Sequence, residues 1–167
     1  MKIHIEEYNN NWPNIFEDLK NRLQNKFKDR NIKIEHIGST SIKNLISKPI
    51  IDILIGVNKS SLDKYTTPII ELGFKYIKEY EKETPKRRFF YLDTNKERFS
   101  HIHLVEKTSK WYKRHLAFRN ELRSNKITRD KYECLKYKLA KREWKDGNEY
   151  SDAKTKFIRS IEKKLIY

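Results

Sequence analysis

The 167-residue chain holds one cysteine, one methionine and four glycines. A single thiol, Cys134, excludes an internal disulfide and any zinc site built on cysteines. Cys134 falls in a helical pattern with Tyr132 and Leu135, which predicts a buried or half-buried structural thiol. No apolar run reaches the roughly 18 residues of a membrane span, and the N-terminus shows no apolar signal-peptide core. The expectation is a soluble, intracellular, cytoplasmic protein with no membrane partner. Helix-turn-helix, zinc-finger and RNP-like motifs are absent, as are internal repeats, low-complexity blocks and clear linkers. Acidic residues are the scarcer charge: 23 Asp and Glu stand against 38 Lys and Arg, for a formal net charge of +15.

Hydrophobic and charged residues each make up 37%, and aromatics 13%, enough for an aromatic-rich core under a heavily charged surface. One domain over residues 1–167 is expected, with an α/β half over 1–106 and a helical half over 107–167. The helical half carries 19 Lys and Arg against 8 Asp and Glu. A basic face attracts phosphate, whether on a nucleotide, a nucleic acid or a membrane. A solvated surface is the alternative.

Ile3 and Ile5 alternate over a short N-terminal strand or arm. Pro13 suits a first helical turn, and Ile15, Phe16, Leu19, Leu23 and Phe27 recur at helical spacing up to about Asp29. Strands are expected at 32–37, 50–57, 74–80, 87–92 and 99–105, with a turn at 93–96. Short helices are expected at 41–46, capped by Ser39 or Thr40, and at 60–72, closed by Gly73. After Ser109 the apolar period becomes helical. One helix runs to about Ser124, a second covers 128–142 with Thr128 as cap, and a third covers 150–165.

One acid interrupts the most apolar strand. Asp52 lies between Ile51 and Ile53, and an ionised carboxylate is costly to bury without a cation, a metal or several donors. Upstream, an apolar run breaks at Gly38-Ser39. Glycine lets the backbone turn tightly and approach a ligand closely, and such a loop presents N–H groups to phosphate. Asp52 is therefore the candidate catalytic and metal-binding residue. A buried Asp held by backbone N–H groups or by Lys48 is the alternative. His36, Gly38, Ser39 and Thr40 at the turn, and Lys48 after it, are candidate phosphate ligands. His36 equally suits packing with one ring hydrogen bond, and no base is placed near Ser39 to make it a nucleophile. Arg87 and Arg88 open a strand in alternating directions, so one of them faces the cleft; Arg88 is the candidate ligand. Tyr150 and Lys154, one helical turn apart, close the other side. Lys and aromatic residues alternate from Lys131 to Trp144, a pattern that fits nucleic-acid stacking and fits helical core spacing as well.

The string His36-Ile37-Gly38-Ser39-Thr40-Ser41 through Lys48-Pro49-Ile50-Ile51-Asp52 resembles the GrpB family, a branch of the nucleotidyltransferase superfamily. The resemblance extends over nearly the whole chain. Its other marks are Asn11-Trp12-Pro13 with Phe16, His101-Ile102-His103-Leu104-Val105, Phe118-Arg119-Asn120-Glu121-Leu122-Arg123, Tyr132 with Leu135-Lys136, and Tyr150 with Lys154 and Phe157-Ile158. It implies a nucleotidyltransferase-like α/β (α+β) fold, a mixed sheet with flanking helices and a helical C-terminal half. It also implies a Gly-Ser turn that cradles the phosphates of a nucleoside triphosphate, strand acids that hold a divalent metal, and nucleotidyl transfer to an acceptor. Arg119 and Arg123 are, by the same resemblance, anion ligands or partners for acids on the Asp52 side.

The superfamily's second acid falls two residues after the first, and here that position is Leu54, which departs from the usual two-metal pattern. On the strand matching the third acid, His101 and His103 share one face. Asp52 with His103, and with His101 beside it, is the candidate metal site. The resemblance implies Mg²⁺ or Mn²⁺, and imidazole suits other transition metals. One core and one surface histidine is the alternative. Two further readings stand beside transfer: a repurposed fold that binds a phosphorylated ligand, or a nucleic-acid binder acting through its basic helices.

Overall fold

The computed structural model describes residues 1–28, 31–59 and 62–166. The expected helix end at Asp29 and helix start at Ser60 lie outside the described residues. The architecture is mixed α+β, with five strands followed by a helical C-terminal half. The strands are β1 (Lys33–Ile37), β2 (Ile51–Val57), β3 (Lys75–Tyr76), β4 (Arg87–Thr94) and β5 (Glu97–Glu106). Their order in the sheet is β1-β2-β5-β4-β3. Only β2 and β5 run parallel, with Asp52 opposite His101 and Leu54 opposite His103; the other pairs are antiparallel.

The helices are α1 (Trp12–Phe27), α2 (Thr66–Glu71), α3 (Lys110–Ser124), α4 (Lys126–Ala140), α5 (Gly147–Asp152) and α6 (Thr155–Ile166). Helix α1 covers one face of the sheet. Trp12, Phe16, Leu19 and Leu23 pack on Ile51, Ile53, Ile55 and Val57 of β2 and on Ile102 and Leu104 of β5. Burying each such side chain contributes about 1.5–3 kcal/mol. Helix α3 covers part of the other face, where Ile37, Leu54 and Val105 meet Trp111 and Leu116. No helix among the described residues is long and apolar enough to cross a membrane.

Several local expectations change. Residues 41–46 form no helix: one 3-10 turn covers Ser39–Ser41, and Asn44, in the left-handed region at φ 64°, stops its continuation. The strand expected at 74–80 ends at Tyr76, and a 3-10 turn at Lys78–Glu81 carries Tyr80 toward the cleft. The β4–β5 hairpin closes on Asn95 and Lys96 alone, both at positive φ, as a tight two-residue connection demands. Asn125, not Thr128, caps α4: its side chain accepts from the Thr128 N–H at 3.1 Å. The last expected helix breaks at Ala153-Lys154 into α5 and α6. Cys134 is exposed, because the buried stripe of α4 runs through Thr128, Tyr132, Lys136 and Leu139. The N-terminal segment is an arm that bridges Glu143 and Ser47.

Candidate functional site

The site lies on the face of the sheet opposite α1. At the end of β1, Gly38 adopts φ 71° and ψ −178°, a region essentially reserved for glycine. A Cβ there would overlap the carboxylate of Asp52. The missing side chain is what lets the Gly38-Ser39 turn lie directly against Asp52.

Asp52 receives a hydrogen bond from His101, Nδ1 to Oδ1 at 3.0 Å. Arg98 approaches Nε2 of the same ring at 3.2 Å. A guanidinium only donates, so these partners assign the ring proton to Nδ1. His103, two residues on, shares the face. Arg87 donates to its Nδ1 at 3.3 Å, and the rings of Phe89 and Trp111 lie 5.2 and 5.0 Å from it. Burial, with the Arg87 charge second, pushes His103 well below the ordinary histidine range, so it is neutral at physiological pH.

One ligand atom from each of Asp52, His101 and His103 falls within 4.8 Å of the others. Neighbouring ligands of a tetrahedral ion with 2.0–2.1 Å bonds stand about 3.4 Å apart, and an ion there would take the place of one of the two hydrogen bonds of the His101 ring. One carboxylate and two imidazoles suit a transition metal over Mg²⁺. Leu54 is fully buried against Ile37 and Val105, so the position two residues after Asp52 is core.

Two cavities meet at this point. The larger, about 590 Å³, runs from Gly38, Ser39 and Asp52 past Arg87 and Phe89 to His115 and Glu162, and its volume suits a small organic ligand. The smaller, about 120 Å³, is lined by Lys48, Lys136, Lys154, Tyr150 and Ser47. Ser39, Asp52, His101, Ser151 and Lys154 line both. Burial lowers the proton affinity of all three lysines: Lys154 falls to about 8 and Lys136 well below its ordinary value, with Asp52 opposing each shift.

The expected turn residues divide. Gly38 and Ser39 line the larger cavity. His36 and Thr40 hold the turn from beneath: His36 stacks on Phe16 at 4.7 Å and donates from Nε2 to Thr40 Oγ1 at 3.0 Å, and Thr40 donates to the Ile50 carbonyl at 3.1 Å. Burial lowers His36 to about 4. The packing alternative for His36 is therefore the one its surroundings match.

Arg88 is a correction. It points to the α1 side, where Asp63 at 3.0 Å, Glu81 at 3.3 Å and the Pro85 carbonyl at 2.8 Å hold it. Pairing with β5 sets the parity of β4, so Arg87 faces the cleft. Arg123 does not line either cavity; it grips the Ser41 carbonyl through Nε and a terminal nitrogen at 3.2 and 3.0 Å, bracing the turn from outside. Arg119 borders the larger cavity but is tied to Glu35 at 2.7 Å and to the His36 carbonyl at 3.1 Å.

Two residues escaped the sequence reading. Lys136 is 2% exposed and falls on the apolar stripe of α4 between Tyr132 and Leu139; a lysine at a core position is the signal. His115 donates from Nδ1 to the Trp111 carbonyl at 2.7 Å and lies on the Trp111 ring. Burial lowers it to about 3, which leaves a neutral imidazole on the wall of the larger cavity. Its i, i+4 spacing from Trp111 was visible in the sequence.

A UPF0157 protein of Halalkalibacterium halodurans is 33% identical over 163 residues, 97% of this chain and 82% of that protein. The crystal structure of the conserved protein GrpB from Enterococcus faecalis superposes with a TM-score of 0.83 at 34% identity, over 97% of this chain and 96% of that one. A cytoplasmic RNA terminal U-transferase aligns at a TM-score of 0.43 and 11% identity, over 82% of this chain and 43% of that one, a likeness too slight to bear on activity. The model of the GrpB protein family matches residues 2–164, and the chain belongs to that family.

Proposed function

We propose that this protein binds a phosphorylated ligand, a nucleotide by its family resemblance, at the Gly38-Ser39 turn, with a divalent metal held by Asp52, His101 and His103. The observation that carries this reading is the convergence of one carboxylate and two imidazoles beneath a glycine turn, where two cavities meet. The turn brings backbone donors to the ligand, and a metal there supplies Lewis-acid charge at a phosphoryl oxygen. Arg87 and Lys154 add positive charge where phosphate charge would sit. Nucleotidyl transfer to a hydroxyl or amine acceptor is the reaction this arrangement suits, with a single metal in place of the pair that two carboxylates would hold.

The test is calorimetric titration with ATP, GTP, CTP and UTP in Mn²⁺ and in Mg²⁺, beside Asp52→Asn and His103→Gln. Metal-dependent binding that falls at least about tenfold in both variants is expected. Equal binding in wild type and variants would overturn the reading. Nucleic-acid binding is the second reading, favoured by exposed lysines on α4 and α6 such as Lys131, Lys138, Lys156 and Lys163. Salt-sensitive RNA or DNA binding that is indifferent to Asp52→Asn would establish it instead.

A further inference from the structure

The smaller cavity is an unusual place to leave positive charge. Lys48, Lys136 and Lys154 converge on it from the loop after the turn, from α4 and from the break between α5 and α6. Asp52 is the only carboxylate among its lining residues, and His101 already donates to it. Lys136 donates to the Ile46 carbonyl at 2.5 Å. Lys48 and Lys154 make no ion pair among the described residues, and their ammonium nitrogens lie 5.5 and 4.2 Å from the centre of the Tyr150 ring. That ring is 1% exposed, and its hydroxyl is buried with no hydrogen-bond partner among the described residues. Unpaired buried hydroxyls are rare in folded proteins, and so are three clustered lysines facing a single carboxylate. Here both occur in one pocket.

Size narrows the occupant. The volume of about 120 Å³ is the room of roughly four waters at about 30 Å³ each. That accommodates one tetrahedral oxyanion, with the rest of a ligand continuing into the larger cavity it joins. We infer that this pocket is a subsite for a single terminal phosphate group, with Lys48, Lys136 and Lys154 supplying charge and Tyr150 donating the hydrogen bond its hydroxyl lacks. The ligand class is a phosphomonoester, whose charge of about −1.5 to −2 at neutral pH matches a pocket rich in ammonium groups. Its body passes Ser39, Asp52 and His101 into the larger cavity, since those residues line both. This inference rests on the phosphorylated-ligand reading but not on the metal.

The experiment is titration of the full chain, in EDTA, with inorganic phosphate, pyrophosphate and AMP. Wild type, Lys154→Met, Tyr150→Phe and Asp52→Asn are compared, with unfolding temperatures measured alongside. Phosphate and AMP should bind without metal, and pyrophosphate no more tightly than phosphate. Lys154→Met should weaken phosphate binding at least about tenfold. Tyr150→Phe should weaken it about threefold to tenfold while leaving the ligand-free unfolding temperature unchanged or raised, because it removes an orphan group. Asp52→Asn should keep or tighten phosphate binding even as metal-dependent nucleotide binding is lost, which separates this subsite from the metal reading. No phosphate binding to wild type, pyrophosphate bound tenfold more tightly, or affinity untouched by both pocket variants would each overturn the inference.

Discussion

The two faces of one sheet have been put to different uses. Along β2, Ile51, Ile53, Ile55 and Val57 turn toward α1 and are each at most 1% exposed. The alternate residues Asp52, Leu54 and Gly56 turn toward the C-terminal helices, and only Leu54 of these is an ordinary core side chain. On the α1 side, helix and sheet interlock along the full strand. On the other side, α3 seals the region around Ile37, Leu54 and Val105 and lays Trp111 against His103, and a cavity opens over Asp52 and His101. The same period of two packs one face solidly and sets polar groups beside cavities on the other.

The largest effect should come from forcing the missing acid into the sealed part of the open face. Leu54→Asp buries a carboxylate among Ile37, Val105 and Trp111, so urea unfolding should show a loss of about 3–5 kcal/mol and no gain in metal affinity. Stability within 1 kcal/mol of wild type, with tighter Mn²⁺ binding, would instead make Leu54 part of the site. Gly38→Val comes next. Its positive φ and the overlap with Asp52 should together cost about 2–5 kcal/mol and abolish metal-dependent nucleotide binding. Retained nucleotide affinity would rule out close backbone approach as the purpose of the glycine.

The smallest effect at any one step of the measurement is a pH signature that differs between the faces in its window but not in its sign. His36, beneath the turn, has its pKa lowered from 6.5 to about 4, and Lys154, on the open face, from 10.5 to about 8. In each case the unfolded chain holds the proton to higher pH, so stability rises with pH between the folded and the unfolded value. His36 therefore contributes a loss as pH falls from 6.5 toward 4, by at most about 1.4 kcal/mol per pH unit. His36→Gln should flatten the stability curve in that acid window only, and Lys154→Met should flatten it between pH 8 and 10.5 only. Chemical unfolding at half-unit pH steps checks both, and a variant that flattens the wrong window would reverse the assignment of that group.

Much of this was readable because its causes are local. The strand carrying Asp52 declared itself by its apolar run, and His101 and His103 by the spacing that puts both on one face. Helices α1 and α3 followed from apolar spacing, with Pro13 in the first turn of α1. Errors fell where a neighbour decided. Position alone could not say whether Arg87 or Arg88 faced the cleft, because the pairing of β4 with β5 sets that parity. The expected helix over 150–165 broke at Lys154, the turn that delivers this lysine to both cavities. Cys134 looked buried because Tyr132 and Leu135 flank it, yet the stripe of α4 passes through Lys136.

The order of strands first and helices after, the glycine turn, the one acid within the apolar strand β2 and the basic character of the helical half are legible in the chain alone, because each depends on backbone preference, periodicity or composition. Only the tertiary structure brought Lys48, Lys136, Lys154 and the unpaired Tyr150 hydroxyl around one small cavity beside Asp52. These groups come from separate elements far apart in the chain. Their meeting is fixed by how the last helices dock against the sheet, and docking is a property of packed surfaces that no local spacing encodes.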